Sequence, residues 1–365
     1  MLQVGIVGLP NVGKSTLFNA LTAAGAPAEN YPFCTVEPNV GTVEVPDSRL
    51  ERVRALMGAP AAIPAVIRFV DIAGLVSGAS EGEGLGNRFL GQIREVDAVV
   101  HVLRCFADPD VAHVMGGVDP LRDLEVVEAE LALADLETLE RRMEKVEKKA
   151  RSGESDAILE KTVLDRFKAD LSRGRPLRRL CLEAGERAVV RELNLLTAKP
   201  TLYVANLPEG VTGEDSPVFE SLVEAGVGTG VNESLVGISS AIEAELALLD
   251  PEERDLFLQE MDLDESGLER VIRASYELLG LITFFTSNER EARAWTVRRG
   301  TRAPEAAGVI HTDFQRGFIR AETIGYAELE SVGGMKLARE GGVVRSEGKE
   351  YEVQDGELIL FRFNV

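Results

Sequence analysis

The 365-residue chain is 45% hydrophobic and has a formal net charge of -21. Hydrophobic cores tend to divide beyond roughly 250 to 300 residues, so this length predicts more than one domain. No apolar run approaches the roughly 20 residues that cross a bilayer, and no basic stretch precedes the first apolar segment, so we expect neither a membrane partner nor a secretion signal. The three cysteines form no CxxC pair, which argues against disulfides or a zinc site and favours the reducing cytoplasm.

The acidic charge is unevenly distributed along the chain. Residues 141–179 contain thirteen basic and seven acidic side chains, a local balance of +6, which leaves -27 for the remainder. The overall charge argues against nonspecific binding to nucleic acid, and DNA is not an expected partner. The basic stretch, in contrast, suits a phosphate backbone, although a solvated helix face would account for the same residues without a partner.

Short apolar runs rich in β-branched residues alternate with helical patterns, as in a parallel sheet built from βα units. We predict buried strands at residues 2–7, 66–72, 98–103, 201–205 and 235–238. Polar or glycine residues follow each run, and ligands of open α/β sheets bind at that carboxyl edge. The sequence therefore predicts a doubly wound α/β domain with its site at the strand ends.

Residues 121–197 have a different pattern, in which leucine, valine and alanine recur at three- and four-residue steps among polar residues. This predicts an antiparallel helical hairpin of coiled-coil type, with its turn near 152–155, where Gly153 interrupts the helix formers. Strand signals resume at Thr201, so the hairpin is an insertion in a first domain spanning 1–280. Glycine and short strand-like runs then predict a compact mixed β domain over 281–365.

The most informative motif is G-x-x-x-x-G-K-S at residues 8–15, directly after the first predicted strand and before a helix. In such a P-loop, backbone N–H groups surround phosphates and the helix N-terminus adds positive potential. Lys14 is expected to reach the β- and γ-phosphates as a catalytic cation, and the Ser15 hydroxyl to bind Mg²⁺. We predict nucleotide contacts from Asn11, Val12, Gly13, Lys14, Ser15 and Thr16.

Two further elements complete the predicted phosphate site. Asp71 and Gly74 form D-x-x-G at a strand end, with Asp71 as a metal ligand and the Gly74 N–H directed at the γ-phosphate. The following stretch, 78–86, is rich in glycine, which suits a segment that orders around a nucleotide; an ordinary flexible loop is the alternative. Thr35 is the predicted second hydroxyl ligand of Mg²⁺, with a plain surface threonine as the alternative.

The predicted base-binding loops depart from those of guanine-specific enzymes. GTPases use N-K-x-D, whereas the strand at 201–205 ends in Asn206-Leu207-Pro208-Glu209. Strict selectivity for guanine is therefore not expected, and adenine needs no carboxylate at this place. We assign nucleotide contacts to Asn206, Leu207 and Glu209, and to the segment after the last strand, Ser239, Ser240 and Ala241.

Together the P-loop, the string NYPFCTVEPNVG at 30–41, the D-x-x-G element, the glycine-rich stretch and Asn-x-x-Glu resemble the Obg-like ATPase family, known in bacteria as YchF, over essentially the whole chain. The resemblance implies an Obg-type G domain interrupted by a coiled-coil hairpin, followed by a TGS domain of β-grasp, ubiquitin-like type. It also implies hydrolysis of ATP in preference to GTP. Association with the ribosome is implied too, with the large subunit and rRNA as contacts, while GTP and GDP stay open as ligands.

The residue that activates water is less evident. Leu75 stands where many GTPases have a glutamine, and leucine cannot position or deprotonate water. His113, in the stretch 105–117 after a predicted strand, is the candidate catalytic group, and the resembling family has a histidine in the matching stretch. A surface or capping histidine is the alternative. Asn11 suggests K⁺ as a second cofactor, because its amide helps hold this ion in related P-loops.

The leading hypothesis is a nucleotide-driven conformational switch acting on the ribosome. A small-molecule P-loop kinase shares the P-loop and Mg²⁺ but has no need of D-x-x-G or of an asparagine at a strand end. A non-hydrolysing adaptor for the ribosome or RNA, with nucleotide only stabilising its fold, stays open because of Leu75.

Overall fold

The computed structural model describes residues 2–23, 39–72, 84–111, 113–211 and 216–364. The predicted site residues Thr35 and Gly74, together with Leu75, lie outside these ranges. The chain divides into two compact units, Met1–Val43 with Arg68–Leu278 and Glu44–Ile67 with Leu279–Val365.

Strands and helices are numbered in chain order. The strands are β1 (Gln3–Val7), β2 (Val40–Glu44), β3 (Ala61–Ile63), β4 (Val66–Asp71), β5 (Ala98–Arg104), β6 (Thr201–Asn206), β7 (Glu233–Ile238), β8 (Leu281–Ser287), β9 (Glu291–Arg298), β10 (Phe318–Gly325), β11 (Arg345–Glu347) and β12 (Glu357–Phe363). The helices are α1 (Lys14–Ala23), α2 (Ser48–Met57), α3 (Gly84–Glu95), α4 (Pro120–Arg151), α5 (Ser155–Leu171), α6 (Ala184–Leu193), α7 (Pro217–Glu224), α8 (Ser240–Leu246), α9 (Pro251–Glu260), α10 (Gly267–Leu278), α11 (Ala303–Ile310), α12 (Thr312–Arg316), α13 (Tyr326–Val332) and α14 (Met335–Glu340).

The first unit is built on a sheet in the order β2-β4-β1-β5-β6-β7. β1 pairs in parallel with β4 on one side and with β5 on the other. Ligands of doubly wound sheets bind at the carboxyl ends of strands where the strand order reverses, and here that point is the end of β1. Every residue of β5 and β6 is buried, as expected of strands covered on both faces.

A long helical hairpin is inserted between β5 and β6. α4 begins after Asp119, whose side chain accepts a hydrogen bond from Arg122 N–H, and Pro120 occupies its first position. At 32 residues it is about 48 Å long. The turn to α5 contains Gly153 at φ 85°, a conformation that glycine adopts readily. Leu139, Leu164 and Phe167 are fully buried between the helices of this insertion.

A buried carboxylate ties the hairpin to the chain that enters β6. Asp135 of α4 is inaccessible to solvent. It accepts hydrogen bonds from the backbone N–H groups of Leu196 and Thr197, both at 2.8 Å, and from the Thr197 hydroxyl at 2.7 Å. A buried carboxylate needs such donors, so these bonds fix where α4 lies along the chain segment before β6.

The second unit contains a mixed sheet in the order β11-β10-β12-β8-β9-β3. β8 and β9 form an antiparallel hairpin, β12 runs parallel to β8, and β10 is antiparallel to β12. α11 packs on the sheet through Ala303, Ala306 and Ala307 against Phe284 and Ile359, all of them buried. A helix crossing one face of a sheet whose first and last long strands lie side by side in parallel is the β-grasp arrangement that the resemblance implies.

Residues 44–67 correct the predicted domain boundary, which placed them in the first domain. The structure assigns this segment to the second unit. β3 pairs in parallel with β9, and α2 packs against β8 and β9; its Leu50 and Val53 are buried. Arg49 Nη1 lies 2.7 Å from Asp355 Oδ2, although the two residues are 306 positions apart. Sequence proximity suggested the first domain, whereas strand pairing and burial place the segment elsewhere.

Candidate nucleotide site

The P-loop, residues 8–15, connects β1 to α1 through three residues with positive φ, namely Gly8 (150°), Asn11 (63°) and Gly13 (99°). A Cβ at Gly8 would lie 2.6 Å from the Val102 carbonyl oxygen, and one at Gly13 would lie 2.2 Å from Asn206 Nδ2. Both glycines are therefore required by close approach as well as by backbone conformation. The loop wraps the N-terminus of α1, which is the place where backbone N–H groups bind phosphate.

Lys14 is buried at the start of α1, with 8% of its surface exposed. Its ammonium group donates a hydrogen bond of 2.7 Å to the carbonyl oxygen of Leu9, so the side chain folds back over the P-loop. Burial lowers the Lys14 pKa to about 8, and the nearby Asp71 carboxylate partly opposes this shift. A cation this poorly solvated gains strongly from an anionic ligand.

Ser15 and Asp71 lie together beneath the P-loop, with Ser15 Oγ 3.4 Å from Asp71 Oδ2. Burial raises the pKa of Asp71, opposed by Lys14 and by the Ser15 hydroxyl. A hydroxyl and a carboxylate are hard oxygen ligands of the kind that Mg²⁺ prefers. Among the residues that the structure describes, no group of three or more His, Cys, Asp or Glu could hold a metal. With two protein oxygens from Ser15 and Asp71, the other ligands of such an ion would come from phosphates and water.

Asn206, at the end of β6, joins three loops. Its Nδ2 donates to the Val12 carbonyl at 2.9 Å, and its Oδ1 accepts from the Ser240 N–H at 2.9 Å. The P-loop, the end of β6 and the start of α8 are therefore held in one arrangement by a single buried amide. The motif predicted only contact with the nucleotide, and the structure adds this positioning role.

Two hydroxyl groups beside Asn206 are buried without a partner. In the described part of the chain, neither Ser239 Oγ nor Ser240 Oγ makes a hydrogen bond, although both residues are buried. Unsatisfied buried polar atoms are rare in proteins and call for an explanation such as a ligand or an ordered water. Their position next to the P-loop suits a nucleotide.

These elements enclose a pocket of about 740 Å³, a size that suits a small ligand. The structure brings to it most of the predicted nucleotide-binding residues: Asn11, Gly13, Lys14, Ser15, Thr16, Asn206, Leu207, Glu209, Ser239, Ser240 and Ala241. Val12 does not line it, because its side chain is 1% exposed and packs inward. We call this cavity the nucleotide pocket.

One wall of the nucleotide pocket was not predicted. It follows β5 and consists of Phe106, Ala107, Asp108, Pro109 and Val111. The guanidinium of Arg104 lies over the Phe106 ring, 4.6 Å from its centroid. The run of apolar residues before Arg104 indicated a strand end, but the loop beyond it matches no nucleotide-binding motif.

His113 lies near this wall but does not line the pocket. Its Nε2 is 2.7 Å from Asp123 Oδ2, and its Nδ1 accepts a hydrogen bond from Met115 N–H at 3.1 Å. An accepting Nδ1 means that Nε2 carries the proton and donates it to Asp123. The side chains of His113 and Asp123 are 5% and 2% exposed. The predicted catalytic histidine is thus engaged at both ring nitrogens in this conformation.

Comparison with known proteins gives matches along the whole chain. A model described as "50S ribosome-binding GTPase" matches residues 3–152, and a model of a YchF-type GTPase C-terminal region, described as a protein of unknown function, matches residues 281–364. In the described residues, no helix is both long and apolar enough to cross a membrane.

Relatives and solved structures agree with these matches. The chain is 50% identical over 364 residues to the ribosome-binding ATPase YchF of Bacillus subtilis strain 168, with 100% of each chain covered. It is 51% identical over 363 residues to the protein of that name from Escherichia coli O157:H7, covering 100% of this chain and 99% of the relative. The YchF GTPase of Schizosaccharomyces pombe is similar in structure, with a TM-score of 0.89, 35% identity, and 99% and 97% of the two chains covered. Identity of this extent along the full chain, together with the P-loop pocket, shows that the chain belongs to the YchF family of P-loop nucleotide hydrolases.

Proposed function

We propose that the chain binds ATP with Mg²⁺ in the nucleotide pocket and hydrolyses it as a conformational switch on the ribosome, in the cytoplasm. The observation that carries the proposal is the convergence of the P-loop, Asn206 and the buried serine hydroxyls on one cavity. The B. subtilis and E. coli relatives are named ribosome-binding ATPases, which supports both the reaction and the partner.

The base-binding side of the pocket favours adenine. Leu207 stands where GTPases have a lysine and Glu209 where they have the aspartate that pairs with guanine. Leu207 is 2% exposed, and Phe106 on the opposite loop adds an aromatic surface to the same pocket. These apolar groups suit the faces of either purine, and because the lysine and aspartate that recognise guanine are both replaced, we expect ATP and ADP to bind more tightly than GTP and GDP.

Ser15 and Asp71 would hold Mg²⁺, with Thr35 as the further predicted ligand. When bound, the ion offsets negative charge that gathers on the phosphates during transfer. Lys14 places its ammonium at the same phosphates. Its burial lowers its pKa to about 8 without ligand, so an anionic tail stabilises the charged form.

His113 is the residue we assign to activating water. Its ring must first leave Asp123 and Met115, because both nitrogens are now engaged. Catalytic hydrogen bonds often form only with substrate bound, so this arrangement is compatible with the role. Replacing His113 with alanine should lower kcat at least tenfold and leave the affinity for ATP within about twofold. An unchanged kcat would remove His113 from the mechanism.

The test of the whole proposal compares ATP, GTP, ADP and GDP binding to nucleotide-free protein, followed by single-turnover release of phosphate. Lys14→Ala is the blank for both measurements. We expect tighter binding of adenine nucleotides and phosphate release that the blank lacks. Binding without release would instead favour the non-hydrolysing adaptor.

A monovalent ion is the second proposed cofactor. Asn11 lines the pocket at the place where related P-loops use an asparagine amide to hold K⁺. We expect faster ATP hydrolysis in K⁺ than in Na⁺ at equal ionic strength. Equal rates in the two salts would contradict the assignment.

The hairpin is the surface that we propose for ribosome binding, and more specifically for contact with rRNA of the large subunit. Lys145, Lys148 and Lys149 are exposed on α4, and none has an ion pair among the described residues. Cations of this kind bind phosphate backbones with a strong dependence on salt. Lys148→Glu with Lys149→Glu should weaken sedimentation with ribosomes and reduce its salt dependence. Lys349→Glu, an equally exposed change in the second unit, is the control and should leave sedimentation unchanged.

A further inference from the structure

Arg104, the last residue of β5, is buried, with 1% of its surface exposed. Its guanidinium donates hydrogen bonds to four backbone carbonyl oxygens. Nη1 donates to Asn11 at 3.3 Å and Nε to Phe106 at 3.2 Å. Nη2 donates to Asp108 at 3.4 Å and to Val111 at 2.9 Å. Three of these acceptors belong to the unpredicted wall of the nucleotide pocket and one belongs to the P-loop.

The chemistry of these contacts selects arginine. Burying a charge is costly unless its polar groups are hydrogen-bonded, and here all four acceptors are neutral carbonyls. The planar fork of a guanidinium can serve several acceptors at once, whereas an ammonium is a point charge on a flexible stem. The Phe106 ring beneath the guanidinium adds a cation–π contact at 4.6 Å.

We infer that Arg104 is a positioning residue for nucleotide binding, which holds the wall formed by residues 106–111 to the P-loop so that the two sides of the pocket form and open together. The inference rests on the proposed function, since it concerns the same pocket. Asn11 and Arg104 are 93 positions apart, so no local turn chemistry fixes this relation. The guanidinium itself does not line the pocket and acts through the backbone that it holds.

The test replaces Arg104 with lysine in the full-length protein. We expect the affinity for a fluorescent ATP analogue to fall at least tenfold and amide hydrogen exchange in residues 105–111 to become faster. Arg178→Lys is the matched control, because Arg178 is also 1% exposed but is bound to Glu128 and Glu233 at the base of the hairpin. The control should lower the thermal midpoint while keeping ATP affinity within twofold.

Affinity within twofold of the unaltered protein for Arg104→Lys, or an equal loss in Arg178→Lys, would overturn the inference. The unaltered protein gives a test that does not depend on whether a variant folds. Adding ATP should slow amide exchange in residues 11–15 and 105–111 together, and slowing in the P-loop alone would also overturn it. Absence of ATP binding by the unaltered protein would contradict the proposed function. ATP binding that slows amide exchange in residues 11–15 but not in residues 105–111 would contradict this inference alone.

Discussion

Gly13 shows how a single missing side chain can be required by a neighbour. Its φ of 99° is strained for any residue with a Cβ, and that Cβ would lie 2.2 Å from Asn206 Nδ2. The Asn206 amide cannot retreat without losing its bonds to Val12 and Ser240. The conformation of the P-loop and the two hydrogen bonds of Asn206 therefore depend on the same glycine.

Gly13→Ala should weaken ATP binding by roughly a hundredfold, which corresponds to about 2.8 kcal/mol. Displacement of Asn206 would disturb both the P-loop and the start of α8, where Ser240 donates to it. Affinity measured by fluorescence titration checks this. Gly91→Ala, in α3, is the control, because a Cβ there meets no described atom within 4 Å and alanine favours a helix. Equal affinity of the two variants would contradict the role given to Gly13.

Lys14 makes nucleotide binding dependent on pH. Its pKa of about 8 in the ligand-free protein means that at pH 9 it is about nine-tenths neutral. Bound phosphates raise the pKa again, so binding at this pH should take up close to one proton, and affinity should fall about tenfold per pH unit above 8. Calorimetry at pH 9 in buffers of different ionisation enthalpy measures the uptake. Heats that do not depend on the buffer would exclude it.

Some residues of the site belong to a local motif and could be predicted from the sequence, whereas others depend on contacts between distant parts of the chain. Gly13, Lys14 and Ser15 were predicted because phosphate binding needs consecutive residues in one turn. Asn206 was predicted for base contact, yet its bonds to two other loops depend on how the four strands β1, β5, β6 and β7 lie side by side. Arg104 was missed, since nothing local distinguishes it from any polar residue at a strand end.

At the scale of elements, the central strands of the first sheet could be predicted from the sequence because they are buried on both faces. Every residue of β5 and β6 is buried and both strands are mostly apolar, whereas β2 alternates between buried and half-buried residues over only five positions and was not predicted. The hairpin was evident from its helical period and from Gly153 at its turn. Its attachment through Asp135 was not, because the acceptors and donors are about 60 positions apart.

Asp135→Asn should lower the free energy of unfolding by about 2 to 4 kcal/mol. An amide offers one acceptor oxygen in place of two, and its NH₂ group would face a backbone N–H. Urea denaturation followed by circular dichroism measures the change. Asp165→Asn on α5 is the control, because within the described ranges Asp165 pairs only with Lys161, on an exposed face, and its loss should cost less than about 1 kcal/mol. Similar losses of unfolding free energy in both variants would argue against a stabilising role for the hydrogen bonds of Asp135.

At the scale of the whole molecule, the second unit is assembled from two stretches of chain. Glu44–Ile67 supplies α2 and β3, and Leu279–Val365 supplies the rest of the sheet. The sequence indicated a C-terminal β domain because its strand pattern is continuous after residue 280. It could not assign 44–67, since a short amphipathic helix and a three-residue strand fit either domain until their partners are known.

A fragment of residues 279–365 should therefore be less stable than the same fragment joined to 44–67 by a flexible linker. Leu50 and Val53 bury apolar surface worth about 1.5 to 3 kcal/mol each, so the joined form should melt at least about 10 °C higher. Circular dichroism during heating measures the difference. The joined form with Leu50→Ser and Val53→Ser is the control, and it should lose most of the rise in melting temperature. Equal melting temperatures of the three proteins would contradict the assignment of residues 44–67 to the second unit.

The divided second unit also sets an order of events during synthesis. Helix α2 leaves the ribosome early, but β8 and β9, which pack against it, are made only after residues 68–278 have been added. At roughly 5 to 20 residues per second, this interval lasts on the order of ten to forty seconds. Throughout it the apolar side of α2, with Leu50 and Val53, has no strands to pack against, so we expect chaperones to bind this stretch of the growing chain.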